Sequence, residues 1–163
     1  MCGRICSGKS YYARKLAERL NAVILSTDEL TWDLTDNAQG EGYDAFAARA
    51  NRYLLKKACE IARAGAVVIL DWGFWTREKR RDTKAYCSAQ GVRTEWHYVE
   101  PGTEMWLNNI RERNERVKKT GGPDFYVDDG LLRKLESLWE TPGNDEIDVK
   151  IVPCRERAEA EKR

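Results

Sequence analysis

Gly3-Arg4-Ile5-Cys6-Ser7-Gly8-Lys9-Ser10 fits the phosphate-binding pattern G-x-x-x-x-G-K-[ST] at every specified position. A turn of this composition aims successive backbone N–H groups at one point, and the helix that follows presents its positive end to the same place, so an anion settles there. The pattern assigns nucleotide contact to Gly3, Cys6, Ser7, Gly8, Lys9, Ser10 and Tyr11. Lys9 is expected to reach the β- and γ-phosphates as a mobile charge, with the Ser10 hydroxyl on a Mg²⁺ that otherwise keeps water and phosphate oxygens.

The residues around the loop obey the matching alternation. Downstream, Tyr12, Ala13, Leu16, Ala17 and Leu20 recur at helical spacing, Asn21 ends the helix, and Ala22–Ser26 is a β-branched run of strand length. Upstream, where an apolar strand should feed the first glycine, only Met1 and Cys2 stand, so the expectation is a truncated first strand with a start upstream of Met1, the alternative being a short form that folds with a stunted strand.

Open α/β sheets bind ligands beyond the carboxyl ends of their strands, which draws attention to Asp28 behind Ala22–Ser26. Its two roles are a base or metal-positioning carboxylate and a plain helix N-cap; beside a phosphate loop the first is expected. Thr31–Gly42 has no clear period and reads as a mobile loop or irregular helix carrying part of the acceptor site. Tyr43–Ala64 resumes helical spacing and Gly65 stops it. Ala66–Leu70 is then the clearest buried strand, closing on Asp71 in the shape of a Walker B element that holds Mg²⁺, against a structural hydrogen-bonding role. Trp72, Phe74 and Trp75 line an acceptor pocket or simply fill the core.

Thr76 caps a helix to about Gln90 whose charges make a solvated face, and Val92–Val99 reads as a strand. His97, the only histidine, has no ligating partner nearby in sequence and reads as structural. Thr103 caps a helix over Glu104–Asn114. The basic segment beyond it, with Arg113 and Arg116, and the breaker Gly121-Gly122-Pro123 suggest a lid over about 113–126 that brings an arginine to the phosphoryl group; a charged helix end is the bland alternative. Asp128 or Asp129 caps the next helix, Ile147–Val152 is a last strand, and Cys154–Arg163 is expected to fray.

Composition narrows the rest. The 163 residues suit one domain over 1–163, and a net charge of +1 offers no general field for nucleic acid or anionic membranes. The five cysteines form no C-x-x-C pair, which suggests neither a disulfide framework nor a zinc site and fits a reduced cytoplasm; Cys6 could make activity thiol-sensitive. No apolar run reaches membrane-spanning length.

Together GRICSGKS, STDEL, VVILDWGFWTREKR, WHYV and NNIRERNERVKKTGGPDFYVDDGLL resemble the P-loop kinases of the AAA-type ATP-binding family, which are related to zeta toxins, chloramphenicol phosphotransferase and polynucleotide 5′-kinase domains. The resemblance implies an α/β P-loop three-layer sandwich, with a five-stranded parallel sheet in order 2-3-1-4-5, helices on both faces and a small lid. It implies ATP:Mg²⁺ as donor, Asp28 aligning or deprotonating an acceptor hydroxyl, and Arg113 or Arg116 as lid arginines. Several relatives carry an arginine three residues after this Asp; here the position is Thr31, which disfavours a polynucleotide acceptor. The leading expectation is transfer of the γ-phosphate to a small-molecule hydroxyl. The alternatives are a 5′-hydroxyl polynucleotide kinase and a nucleotide-binding switch without a phosphorylated acceptor. Acceptor identity and oligomeric state are not encoded in these motifs.

Overall fold

The structure, a computed structural model, describes residues 1–35, 42–120 and 124–153. Helix α1 (Lys9–Leu20) leaves the phosphate loop and ends at Asn21, whose left-handed backbone, φ 48°, lets its N–H bond back to the Ala17 carbonyl. Strand β1 (Val23–Ser26) follows, then α2 (Thr27–Thr35) and α3 (Tyr43–Arg63). Strand β2 (Val68–Asp71), α4 (Arg77–Ala89), β3 (His97–Val99), α5 (Thr103–Thr120), α6 (Asp129–Leu138) and β4 (Val149–Ile151) complete the described elements.

All strand pairing is parallel, as an alternation of helices and strands dictates. β1 pairs with β2, Val23 opposite Val68 through Ser26 opposite Asp71, and β3 pairs with β4, His97 opposite Val149. Residues 1 and 2 stand between the pairs: Cys2 bridges Tyr98 in parallel, and the Met1 ammonium donates to the Leu70 carbonyl at 3.2 Å.

Period-two alternation sorts the strand side chains into two cores. Met1, Ile24 and Ile69 pack with Ala13 and Leu16 of α1 on one face. Their neighbours Cys2, Leu25 and Leu70 turn to the other face, against Leu30 of α2, Leu54 of α3 and the aromatic cluster of Trp72, Phe74, Trp96 and Tyr98. Each fully buried large side chain of this kind contributes roughly 1.5–3 kcal/mol, so helices are held on both faces of the strands by ordinary apolar burial.

Several boundaries differ from the sequence reading. β3 is confined to 97–99 and leaves 92–96 outside the ladder, β4 is shortened to 149–151, and β1 is half-exposed because among the described residues only β2 pairs with it. Thr31–Thr35, read as loop or irregular helix, belongs to α2, while 36–41 lies outside the described residues, as do Gly121–Pro123 and the tail from Cys154. α5 does not stop at Asn114 but continues to Thr120, and Gly102 rather than Thr103 supplies the first carbonyl, to the Trp106 N–H. The charges of α4 are not all solvated: Arg80 is buried, donating to the Phe74 and Trp75 carbonyls and paired with Glu146 at 2.9 Å. Thr76 and Asp128 cap α4 and α6 as expected, each side chain accepting a backbone N–H three residues on.

Candidate functional site

Gly3–Ser10 turns from residues 1–2 into α1, and its two outer glycines are forced for different reasons. Gly3 has φ +152°, and a β-carbon there would lie 2.6 Å from both the Val99 carbonyl and the Ser7 hydroxyl, so nothing larger fits. Gly8 has φ +92°, and a β-carbon would meet nothing within 4 Å; it faces open space at the helix start. No side chain caps α1 at Gly8, and the Ser7 hydroxyl is buried without a partner. Uncapped N–H groups, an orphaned hydroxyl and open space before them fit a phosphate, which would supply the missing acceptors.

The loop is gripped from α5. Trp106 donates its indole N–H to the Ile5 carbonyl at 2.7 Å, Asn109 donates to the Cys6 carbonyl at 3.0 Å, and the Arg113 guanidinium lies 3.7 Å from the Cys6 sulfur. The spacing 106, 109, 113 is one face of a helix, so a single rigid element sets the loop's outer wall. Arg4 stacks on the Trp106 ring at 3.6 Å and forms a two-pronged ion pair with Glu136 of α6.

Lys9 donates to the Gly3 and Arg4 carbonyls at 3.0 and 2.7 Å. Burial pulls its ammonium below the ordinary lysine value, while Asp71 and Asp28 pull it back up. Asp71 is buried at the end of β2, opposite Ser26. Asp28 lies in the first turn of α2. It is exposed by surface area, yet enough protein surrounds its carboxyl that desolvation pushes it above the ordinary Asp value; Arg113 opposes that and Asp71 adds to it.

Arg113 reaches the loop at Cys6, and Asp71 lies opposite Ser26 at the strand end that leads into Asp28, so the charges of Lys9, Asp28, Asp71 and Arg113 act on one another beside the loop. Arg116 stands one step away, tied to Asp124 at 2.7 Å, and Arg113 shares that carboxylate at 3.5 Å while donating to the Phe125 carbonyl. The segment read as a lid thus begins on α5, and Asn114 ties it down by exchanging two hydrogen bonds with Val127. Ser10 and Tyr11 are exposed at the start of α1. Trp72 and Phe74 are core residues, and among that trio only Trp75 is less than buried. His97 is buried between the Tyr12 hydroxyl, 2.9 Å from Nδ1, and the Glu95 carboxylate, 2.6 Å from Nε2, in keeping with a structural role.

Residues that motif reading passed over are Trp106, Asn109, Asp124 and Tyr43. The first two carry a signal in the 106, 109, 113 spacing, but the loop they serve is far away in sequence. Tyr43 meets Phe125 edge to face at 5.9 Å, and burial first, then the Asp28 charge, pushes its hydroxyl up.

Among the described residues no cluster of three or more His, Cys, Asp or Glu could hold a metal alone. Ser10 and Asp71 fit only an ion whose other ligands are phosphate and water. No described helix is long and apolar enough to cross a membrane.

A parallel α/β assembly with a phosphate loop between its central residues and its first helix defines the P-loop nucleotide-binding class. Residues 1–133 match the AAA domain family, and the chain belongs to it. Among solved structures, an unliganded sugar kinase from Janibacter sp. HTCC2649 aligns over 99% of this chain and 88% of its own, with TM-score 0.63 and 16% identity. An APS kinase from Mycobacterium tuberculosis, in complex with AMPPNP and APS, aligns over 99% and 92% with TM-score 0.67 and 19% identity. A shikimate kinase from Aquifex aeolicus aligns over 99% and 93% with TM-score 0.51 and 17% identity. The fold is that of the P-loop kinases. Curated proteins yield no match.

Proposed function

We propose that this chain is an ATP-dependent phosphotransferase that moves the γ-phosphate to a hydroxyl group of a small molecule in the cytoplasm. The observation that carries the reading is that the charges of Lys9, Asp28, Asp71 and Arg113 act on one another beside the phosphate loop. A carboxylate placed to orient an acceptor hydroxyl, beside the loop and an arginine, suits transfer to an acceptor. The similar solved structures are kinases of small molecules, which supports the reading at the level of the fold.

ATP:Mg²⁺ would supply an activated phosphoryl group whose charge is partly neutralised. The loop N–H groups and Ser7 cradle the phosphates, and Lys9 leaves the Gly3 and Arg4 carbonyls to meet them. Ser10 and Asp71 would hold the ion. Asp28 would accept a hydrogen bond from the acceptor hydroxyl and take its proton as the new oxygen–phosphorus bond forms and the bond from the γ-phosphorus to the β–γ bridging oxygen breaks, with ADP leaving, and Arg113 would stabilise charge on the transferring group. Arg116 acts through Asp124, which it shares with Arg113. Catalysis of this kind is positioning and electrostatics rather than covalent chemistry.

We also read residues 1–2 as the middle strand of a five-stranded sheet in order 2-3-1-4-5, supported by the Cys2–Tyr98 bridge and the Met1–Leu70 bond. Incubation with ATP:Mg²⁺ and a library of hydroxyl compounds, followed by mass spectrometry for added phosphate, tests the function. Transfer that disappears in Lys9→Ala supports it, and ATP binding without transfer to any member refutes it.

A further inference from the structure

We infer that Asn51 of α3 is a positioning residue for the transfer step: through its hydrogen bond with Thr27 it fixes the roll of α2, and with it the reach of the Asp28 carboxylate. This rests on the phosphotransferase reading above and adds a residue to that same site.

The first turn of α2 is tied at three points, and Asp28 sits among them. Ser26, the last residue of β1, accepts the Glu29 N–H at 3.3 Å, so α2 takes its N-terminal cap from Ser26 and does not need Asp28 for it. Leu30 packs into the apolar core that holds Leu54 of α3. Thr27, which is buried, donates its hydroxyl to the Asn51 side-chain oxygen. On the same row of α2, Thr31 and Thr35 return their hydroxyls to the carbonyls four residues back, those of Thr27 and Thr31, at 2.7 and 2.6 Å. The Thr27 hydroxyl instead crosses to another helix.

These ties hold different things. The cap fixes where α2 starts and Leu30 fixes how deep it lies, but apolar contact is non-directional and leaves a helix able to roll about its axis. A hydrogen bond weakens steeply off its line, so the Thr27–Asn51 bond resists that roll. A helix side chain ends about 5–6 Å from the axis, and a roll of about 10° therefore carries a carboxylate about 1 Å. Misplacement of that size can cost about a hundredfold in rate. Any buried hydroxyl needs a partner; this one has a role because Thr27 is joined to Asp28 by a single peptide bond. The phosphate loop is gripped from α5, by Trp106 and Asn109, so ATP binding and the placing of Asp28 are separable.

The test uses the full chain with ATP:Mg²⁺ and a panel of hexoses, aryl alcohols and nucleosides. Transfer is read by mass, and the best-used member is carried through all variants. Asn51→Leu removes the acceptor at similar size, Thr27→Val removes the donor at the same shape, and Thr27→Ser keeps the donor. The expected result is a kcat about 10- to 100-fold lower in Asn51→Leu and in Thr27→Val, with ATP affinity unchanged by calorimetry. The double variant should lose no more than either single one, because both remove the same bond, and Thr27→Ser should keep the wild-type kcat. Unchanged kcat in Thr27→Val, losses that multiply in the double variant, or ATP affinity that falls in step with kcat overturns the inference and leaves the phosphotransferase reading intact. Should Asn51→Leu fail to fold, Thr27→Val against Thr27→Ser decides by the same criteria. ATP binding by the wild type with no transfer to any member overturns the phosphotransferase reading, and this inference with it.

Discussion

Replacing Glu146 tests the one buried ion pair that sequence reading placed in solvent. Its carboxylate meets Arg80 at 2.9 and 3.3 Å, Arg77 at 3.2 Å and the Gly143 N–H at 2.8 Å. The Arg80 hydrogen bonds, reinforced by Gly143 and Arg77, hold its pKa at about 2 against an ordinary 4.5. That gap is about 2.5 pH units at about 1.36 kcal/mol each, or about 3.4 kcal/mol at most. Arg80 and Glu146 side chains are only 2% and 11% exposed, so screening removes little, but Arg77 is 60% exposed and its share is small. A loss of about 3 kcal/mol in Glu146→Gln at pH 7 follows, within the range for a broken buried pair. Because the folded pKa is depressed, the stabilisation is complete above the unfolded value of 4.5 and fades as pH falls towards 2. By pH 3 about 2 kcal/mol of it should be gone. Urea unfolding of both proteins between pH 7 and pH 3 reads this directly. A Glu146→Gln protein as stable as the wild type at pH 7, or a deficit that stays constant down to pH 3, would refute the reasoning.

Three further outcomes are expected. Desolvation raises the Asp28 carboxyl and Arg113 opposes that rise, so the acid limb of kcat lies above the ordinary Asp value of 3.8 and Arg113→Ala shifts it to still higher pH; an unmoved limb detaches Asp28 from the proton transfer. Gly3→Ala places a β-carbon 2.6 Å from the Val99 carbonyl and should cost about 1–3 kcal/mol by overpacking. Calorimetry should show a lower Tm together with weakened nucleotide binding, and an unchanged Tm would deny the close approach. Cys59 and Cys87 are buried with their sulfurs 3.9 Å apart, and burial lifts the Cys87 thiol to about 12. Maleimide labelling read by peptide mass should therefore modify Cys6 long before either, and equal rates would show that the α3–α4 contact opens readily.

The sequence by itself determined the phosphate-loop pattern, the α/β alternation, the caps at Thr76 and Asp128, the helix stop at Asn21 and the placing of Asp28 and Asp71 at strand ends. Each of these is a local demand: a left-handed turn, a hydroxyl or carboxylate accepting an N–H three residues on, an apolar run closing on an acid. Only the tertiary structure decided what lies far apart in sequence and close in space. It set Trp106, Asn109 and Arg113 of one helix face against Gly3–Ser10, gave both Arg113 and Arg116 to Asp124, and stood Tyr43 against Phe125. It also buried Arg80, whose position among exposed charges on α4 reads as solvated until Glu146 arrives from 66 residues away to neutralise it. Periodicity reports which face of an element turns inward, but the partner that makes burial of a charge affordable comes from another element, and no local pattern encodes it.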